Sequence, residues 1–333
     1  MGTLYVDRNG LELRVQGGAL ELHAQGERMR SLPAALVERV VLRADTRLTS
    51  GTLAALADAG VGVLALGGRG GQRVAHLLGR PAGDARARIA QCRRLADEPW
   101  AAAWARRIVQ AKLGAQLRLL RRAQAQRADL RKPLHDATGT LAAALQRCAS
   151  ADNRATLRGL EGAAAAAYFR GYTALFAATL GFTARRRRPP PDPVNACLSL
   201  GYTLVHAQAV QACWVAGLDP MVGFLHLPAH GRESLACDLV EPWRAHVDAW
   251  VWQQFRERHL RPELFGRDGT GACLLAKAGR AHFYAAFTPV QEHVGRALRR
   301  HARIAARVLA AACDVPTDFA MPGSGIHAEA DAP

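Results

Sequence analysis

Four side chains carry the chemistry available to this sequence: Glu161, His226, Asp238 and Glu241. Glu161 lies in "LRGLEGAAAAAY" (157–168), where Leu157, Leu160, Ala164 and Tyr168 fall at the spacing of a buried helical stripe. One turn after Leu157, its carboxylate is expected to point inward. A buried unpaired charge costs several kcal/mol, so its partner is either an arginine or a metal ion. Gly159 and Gly162 flank it, and each costs about 1 kcal/mol relative to alanine in a helix. Their lack of bulk would let another backbone, a metal or a phosphate come close.

The second stretch is "GFLHLPAHGRESLACDLVEPWR" (223–244). If "SLACDLVE" is helical from Ser234, Asp238 and Glu241 are i, i+3 neighbours on one face, with His226 on the preceding loop. Carboxylates and one imidazole from separate segments could converge on one divalent cation, and oxygen-rich ligation suits Mg2+ or Mn2+ better than structural zinc. Other readings stay open. "DLVE" also fits a capping box with Asp238 at the N-cap and Glu241 at N3, and a lone histidine is usually just hydrogen-bonded. His230 is a spare imidazole. Neither G-x-S-x-G nor H-E-x-x-H occurs.

The elements that would position these groups change character along the chain. Residues 1 to about 80 read as β-rich. "LYVD", "LELRVQ" and "ALELHAQ" alternate with period two, and "NG" (9–10) and "GG" (17–18) are hairpin turn signals. "RVVL" and "VGVLAL" read as strands covered on both faces, with "TSGTLAALADAG" a short helix between them. The "GGRGG" cluster (67–71) has no phosphate-loop spacing and reads as a flexible loop. From 84 to 130 the spacing predicts long helices broken near Pro99, and further helices are expected at 136–148, 153–180, 194–216, 234–258 and 289–313. "RRRRPPPDP" (185–193) reads as a loop, because consecutive prolines cannot continue a helix. Asn195, Ser199 and Tyr202 after it read as ordinary capping and packing.

The global signal is charge. The 333 residues carry 44 Lys+Arg against 28 Asp+Glu, a net +16. From Arg80 to Pro133, 14 basic residues face 4 acidic ones, so +10 of the excess falls in that segment. Such a surplus predicts salt-sensitive attraction to a polyanion. No run of about 18 uncharged apolar residues suggests a membrane span, and the N-terminus has no signal-peptide pattern. Seven scattered cysteines without a C-x-x-C pair point to free thiols in a reducing cytoplasm. Basic surface to hold a phosphodiester backbone, with a pocket of acids for a metal, suggests phosphodiester chemistry. A catalytically silent nucleic-acid scaffold and a hydrolase of small phosphorylated substrates are the alternatives.

The combination of "LRGLEGAAAAAYF", "RRRRPPPDPVNACLSLGYTL" and "GLDPMVGFLH" followed by "GRESLACDLVEPWR" resembles the CRISPR-associated protein one family of spacer-inserting endonucleases and integrases. "LPAALVERVVL", "TSGTLAALADAGVGVLAL" and "RIVQAKLGAQLRLLRR" fit the same family, so the likeness runs from residue 3 to about 312 in the family's order. It implies an α+β fold: an N-terminal β-sandwich-like dimerisation domain (1–80), an all-helical catalytic and DNA-binding domain (81–315), and a disordered tail (316–333). Glu161, His226 and Glu241 match the family's metal triad and Asp238 an additional acid. Glu241 stands where some members have aspartate, which preserves oxygen ligation. The resemblance further implies a cytoplasmic homodimer that assembles with CRISPR-associated protein two. Its members act on double-stranded and branched DNA, prespacer and repeat, by 3′-OH transesterification. Arg106, Arg118, Arg186 and Lys277 are the candidate backbone contacts.

Overall fold

Alternating apolar residues build two sheets at the start of the chain. The computed structural model describes residues 2–67, 73–79 and 84–313. Strands β1 (Gly2–Val6), β2 (Leu11–Gln16), β3 (Ala19–Ala24), β4 (Glu27–Pro33), β5 (Val37–Leu42), β6 (Thr46–Arg47), β7 (Gly62–Gly67) and β8 (Arg73–Leu77) enclose one helix, α1 (Ser50–Asp58). They form two four-stranded sheets, ordered β1-β5-β7-β8 and β4-β3-β2-β6. Leu4, Val6 and Val40 of the first sheet, Leu13 and Leu20 of the second, and Leu56 of α1 share one apolar core.

The two turn signals have different outcomes. Gln16 pairs with Ala19 across Gly17 and Gly18, whose φ of 55° and 75° suit a two-residue hairpin. Asn9–Gly10 turns the chain but closes no hairpin. β1 pairs in parallel with β5, and β2 pairs with β3 in the other sheet, so this turn carries the chain between sheets. A turn residue fixes local backbone; the buried face of each strand chooses its partner.

Helices follow: α2 (Arg86–Ala96), α3 (Glu98–Gln126), α4 (Arg131–Ala149), α5 (Arg154–Thr173), α6 (Pro193–Val215), α7 (Ser234–Val240), α8 (Arg244–Arg256) and α9 (Lys277–Ala311). A short hairpin, β9 (Phe265–Arg267) with β10 (Cys273–Leu275), interrupts them. The break near Pro99 falls at Asp97, which caps α3 by accepting the Trp100 N–H at 3.1 Å. α9 departs from expectation: it starts at Lys277 and runs through Pro289. Proline forfeits one helical hydrogen bond, but Phe283, Phe287, Val294 and Leu298 around it are fully buried and hold the helix together. The predicted helix over 234–258 divides into α7, a 3-10 turn at Glu241–Trp243, and α8. Most of the glycine cluster and residues 314–333 lie outside the described residues.

α9 also joins the two regions. Tyr284 stacks on Tyr5 with ring centroids 4.2 Å apart, Arg280 Nε donates to Asp7 Oδ2 at 2.8 Å, Tyr5 bonds Gln291, and Arg299 pairs with Glu38. Among the described residues no helix is long and apolar enough to cross a membrane, and all seven cysteines are free.

Candidate metal centre

α5 forms as its stripe requires, with Leu157, Ala164 and Tyr168 at 0% exposure and Leu160 at 8%. Asn153 caps it by accepting the Thr156 N–H at 2.8 Å. The Glu161 side chain, 24% exposed, reaches Lys112 of α3. Glu241, on the 3-10 turn, reaches the same ammonium: its Oε2 lies 2.6 Å from Lys112 Nζ. Two carboxylates 80 residues apart in sequence thus face each other across one buried cation. The glycines beside Glu161 approach nothing: a Cβ at Gly159 or Gly162 would meet no atom within 4 Å. They leave that flank of the acid open, where another protein backbone was one expectation.

His226 enters from the loop before α7. Its Nδ1 is 2.7 Å from Asp238 Oδ1, and its Nε2 is 4.0 Å from Glu241 Oε1. A carboxylate can only accept, so Nδ1 carries the proton and, in the neutral ring, Nε2 keeps its lone pair on the Glu241 side. Asp238, at 0% exposure, also accepts the backbone N–H groups of Phe224, Leu225 and His226 at 2.7, 2.9 and 3.0 Å. Gly223 lets this loop press on α7, since a Cβ there would lie 2.6 Å from the Ser234 carbonyl carbon. The capping-box reading does not hold: α7 starts at Ser234, so Asp238 is interior, and its carboxylate clamps the histidine loop. Nor do Asp238 and Glu241 act as a pair of ligands on one face. One orients the imidazole; the other faces the centre. His230 is exposed and is not the group that orients His226.

Two residues that the sequence reading passed over define the electrostatics. Lys112 sits on the buried stripe of α3 with Ile108, Val109 and Leu113, and that position is the signal that could have found it. Arg244 Nε lies 3.1 Å from Glu241 Oε1. Burial alone would raise the Glu241 carboxyl; Arg244 and Lys112 outweigh it and hold the group at about 2. Burial likewise opposes the charged form of Lys112, and Glu241 and Glu161 raise it above the ordinary lysine range. Arg244 is also held by an aromatic ring. Its guanidinium lies 4.8 Å from the centre of the Tyr202 ring, and the Arg185 guanidinium lies 5.3 Å from the same ring centre. The Tyr202 hydroxyl bonds the buried Asp248, which also accepts from Tyr168 at 2.7 Å.

As they stand, no three His, Cys, Asp or Glu side chains among the described residues are grouped to hold a metal ion; the Lys112 ammonium lies between the two glutamates. The donor set nevertheless fits a hard divalent cation: two carboxylates already share one positive charge, and an oriented imidazole nitrogen stands beside them.

The candidate backbone contacts fare unequally. Arg106 Nε and Nη2 both donate to the Ala151 carbonyl, at 3.0 and 2.6 Å, which commits that guanidinium to tying α3 to the start of α5. Arg118, Arg186 and Lys277 are exposed. The cap of α6 is Asp192, which accepts the Asn195 N–H at 2.8 Å, and the Asn195 side chain has another task. It accepts from Arg185 Nη1 and the Arg186 N–H and donates to the Ala184 carbonyl, all at 2.9 Å, and so fixes the arginine loop.

The model of the family described as CRISPR associated protein Cas1 matches residues 4–289. A CRISPR-associated endonuclease Cas1 of Thermodesulfovibrio yellowstonii is 35% identical over 297 residues, covering 85% of this chain and 89% of its own. Another, of Thermus thermophilus, is 35% identical over 268 residues, covering 80% of this chain and 77% of its own. Among solved structures, a casposase bound to integration product superposes with a TM-score of 0.77 at 20% identity, over 97% of this chain and 94% of that one. A CAS1 protein from Thermotoga maritima gives 0.75 at 19% identity, over 91% and 96%. At such identities the structures speak to the fold alone.

Proposed function

The chain belongs to the CRISPR-associated protein Cas1 family, and on that premise we propose that it is a metal-dependent DNA endonuclease and integrase that joins 3′-hydroxyl ends to a CRISPR repeat. The observation that carries this reading is the convergence of Glu161 and Glu241 on one cation, with His226 Nε2 4.0 Å from Glu241. Glu161, His226 and Glu241 would hold Mg2+ or Mn2+, which when bound supplies Lewis acidity at the scissile phosphate and toward the attacking oxygen. Asp238 keeps the imidazole in the tautomer that leaves Nε2 available. Arg244 offsets the negative charge of Glu241 and stands ready for the charge that develops on a phosphate oxygen. No nucleoside triphosphate is needed, because one phosphodiester is exchanged for another. The attacking group is water in cleavage and a 3′-hydroxyl in joining.

The excess of positive charge supports double-stranded and branched DNA as substrate, with Arg118, Arg186 and Lys277 as backbone contacts. Dimerisation through the region of 1–80, a catalytic region of 81–315, assembly with CRISPR-associated protein two and a cytoplasmic location belong to the same reading. The test is transfer of a labelled prespacer into a supercoiled repeat-bearing plasmid, with and without EDTA. Metal-dependent joining that Glu161→Gln abolishes is the expected result; joining unchanged in EDTA would overturn it.

One observation favours a second reading. Lys112 already bridges both glutamates with its one positive charge, and Arg244 pairs with Glu241, as they would in a silent DNA-binding scaffold. That reading predicts salt-sensitive DNA binding with no transfer under any metal.

A further inference from the structure

α7 carries a thiol that the proposed reaction does not use, and sets it against an imidazole. His206, on α6, has its Nε2 3.2 Å from Glu233 Oε2 and shares a hydrogen bond with the Cys237 thiol. Glu233 and Cys237 are one turn apart at the start of α7, where the Cys237 N–H donates to the Glu233 carbonyl at 2.9 Å. Two side chains of one helical turn therefore close on a single ring from the neighbouring helix. A nucleophile within reach of an imidazole, with an acid fixing that imidazole in turn, is the arrangement that activates a thiol.

The surroundings favour the same chemistry. Burial opposes a charged ring, yet the bonds to Cys237 and Glu233 raise the imidazole to about 9, so it carries a proton at neutral pH. The Arg244 guanidinium is also within electrostatic reach of the Cys237 sulfur, and His76 faces His206 and Glu233 from β8. Reactive cysteines occupy such electropositive, partly exposed places, whereas thiols buried among apolar groups are inert. Other cysteines of the chain supply the contrast. Cys148, Cys197, Cys213 and Cys273 are buried, and burial pushes each of their thiols up. Cys237 is only partly buried. His76, His206 and Glu233 line a cavity of about 540 Å3, which gives a small polar reagent a route to them.

We propose that Cys237, His206 and Glu233 form a modification site at which a hydroperoxide oxidises the cysteine to its sulfenic acid. The sulfur attacks one oxygen of hydrogen peroxide; an S–O bond forms as the O–O bond breaks, and sulfur gives two electrons to the peroxide. The hydroxide released takes the proton of the His206 imidazolium and leaves as water. Glu233 holds the ring in place for that transfer. The site uses neither a divalent metal nor DNA, so it stands or falls apart from the proposed reaction.

The experiment treats the full chain, in EDTA, with hydrogen peroxide and dimedone, a diketone that traps sulfenic acids, and follows each cysteine by peptide mass spectrometry. Exposed Cys92 is the reference for accessibility alone. Cys237 is expected to be labelled about 100-fold faster than Cys92, and His206→Gln to bring the two level, since a positioned proton donor is worth about that factor or more. Glu233→Gln changes a side chain that is 34% exposed, and keeps the test alive if His206→Gln misfolds. It should slow Cys237 several-fold and leave Cys92 unchanged. Labelling of Cys237 no faster than Cys92 in wild type overturns the site. So does fast labelling that persists in both variants, which would make Cys237 merely accessible.

Discussion

Lys112 Nζ lies 2.6 Å from Glu241 Oε2 and bonds Glu161 at the same time, so one buried ammonium serves two glutamates from different parts of the chain. Each charge is tolerated only because the others are present. Lys112→Met is therefore expected to cost about 3–5 kcal/mol in metal-free protein, the usual loss when one partner of a buried ion group is removed. Mn2+ is expected to restore part of that loss by replacing the missing positive charge. Urea unfolding in EDTA and in Mn2+ measures both; a variant as stable as wild type in EDTA would refute the mutual dependence.

Glu161→Gln keeps the shape and removes the charge of the less buried glutamate. We expect prespacer transfer to fall by about 100-fold or more, with DNA affinity unchanged and the melting temperature unchanged or raised. Parallel transfer assays and fluorescence binding isotherms read the separation. Equal losses in both would assign Glu161 to DNA binding.

Asp238 accepts four hydrogen bonds at 0% exposure, three from backbone and one from His226. Asp238→Ala leaves those donors without acceptors, and a stability loss of at least about 3 kcal/mol is expected. Asp238→Asn keeps one acceptor oxygen and should lose less stability, yet transfer should still drop, because the imidazole tautomer is no longer fixed. Denaturant midpoints and transfer rates of the two variants decide it.

His206 supplies a pH dependence. Burial would lower its pKa, but hydrogen bonds to Cys237 and Glu233 prevail and raise it to about 9 from 6.5. A base whose folded value exceeds its unfolded one stabilises the fold fully below pH 6.5 and loses that contribution as pH climbs through about 9. Wild type is thus expected to lose melting temperature between those limits more steeply than His206→Gln. Parallel slopes in thermal scans would remove His206 as the cause.

How much of this could be read beforehand depends on whether the signal was local. The α5 stripe, the Gly17–Gly18 hairpin and the short helix α1 are set by neighbours in sequence, and all three form as expected. Asn9–Gly10 misled because its turn is real while strand pairing is a long-range choice. Pro289 misled for the opposite reason: a local rule is outweighed by four buried side chains on the same helix. At the candidate centre, Glu161 and Glu241 meet on Lys112, and His226 Nε2 lies 4.0 Å from Glu241. Asp238 and Glu241, three residues apart, could not be told apart by spacing, since their roles follow from the loop that folds over one of them. Lys112 lay hidden as one more cation in a basic helix.

α9 touches the N-terminal sheets through Tyr284, Arg280, Gln291 and Arg299 along much of its length. A strut fastened at so many points leaves no seam along which one half of the molecule could melt while the other persists. Heating should therefore produce a single calorimetric peak, and cutting any one of these fastenings should lower that peak rather than split it.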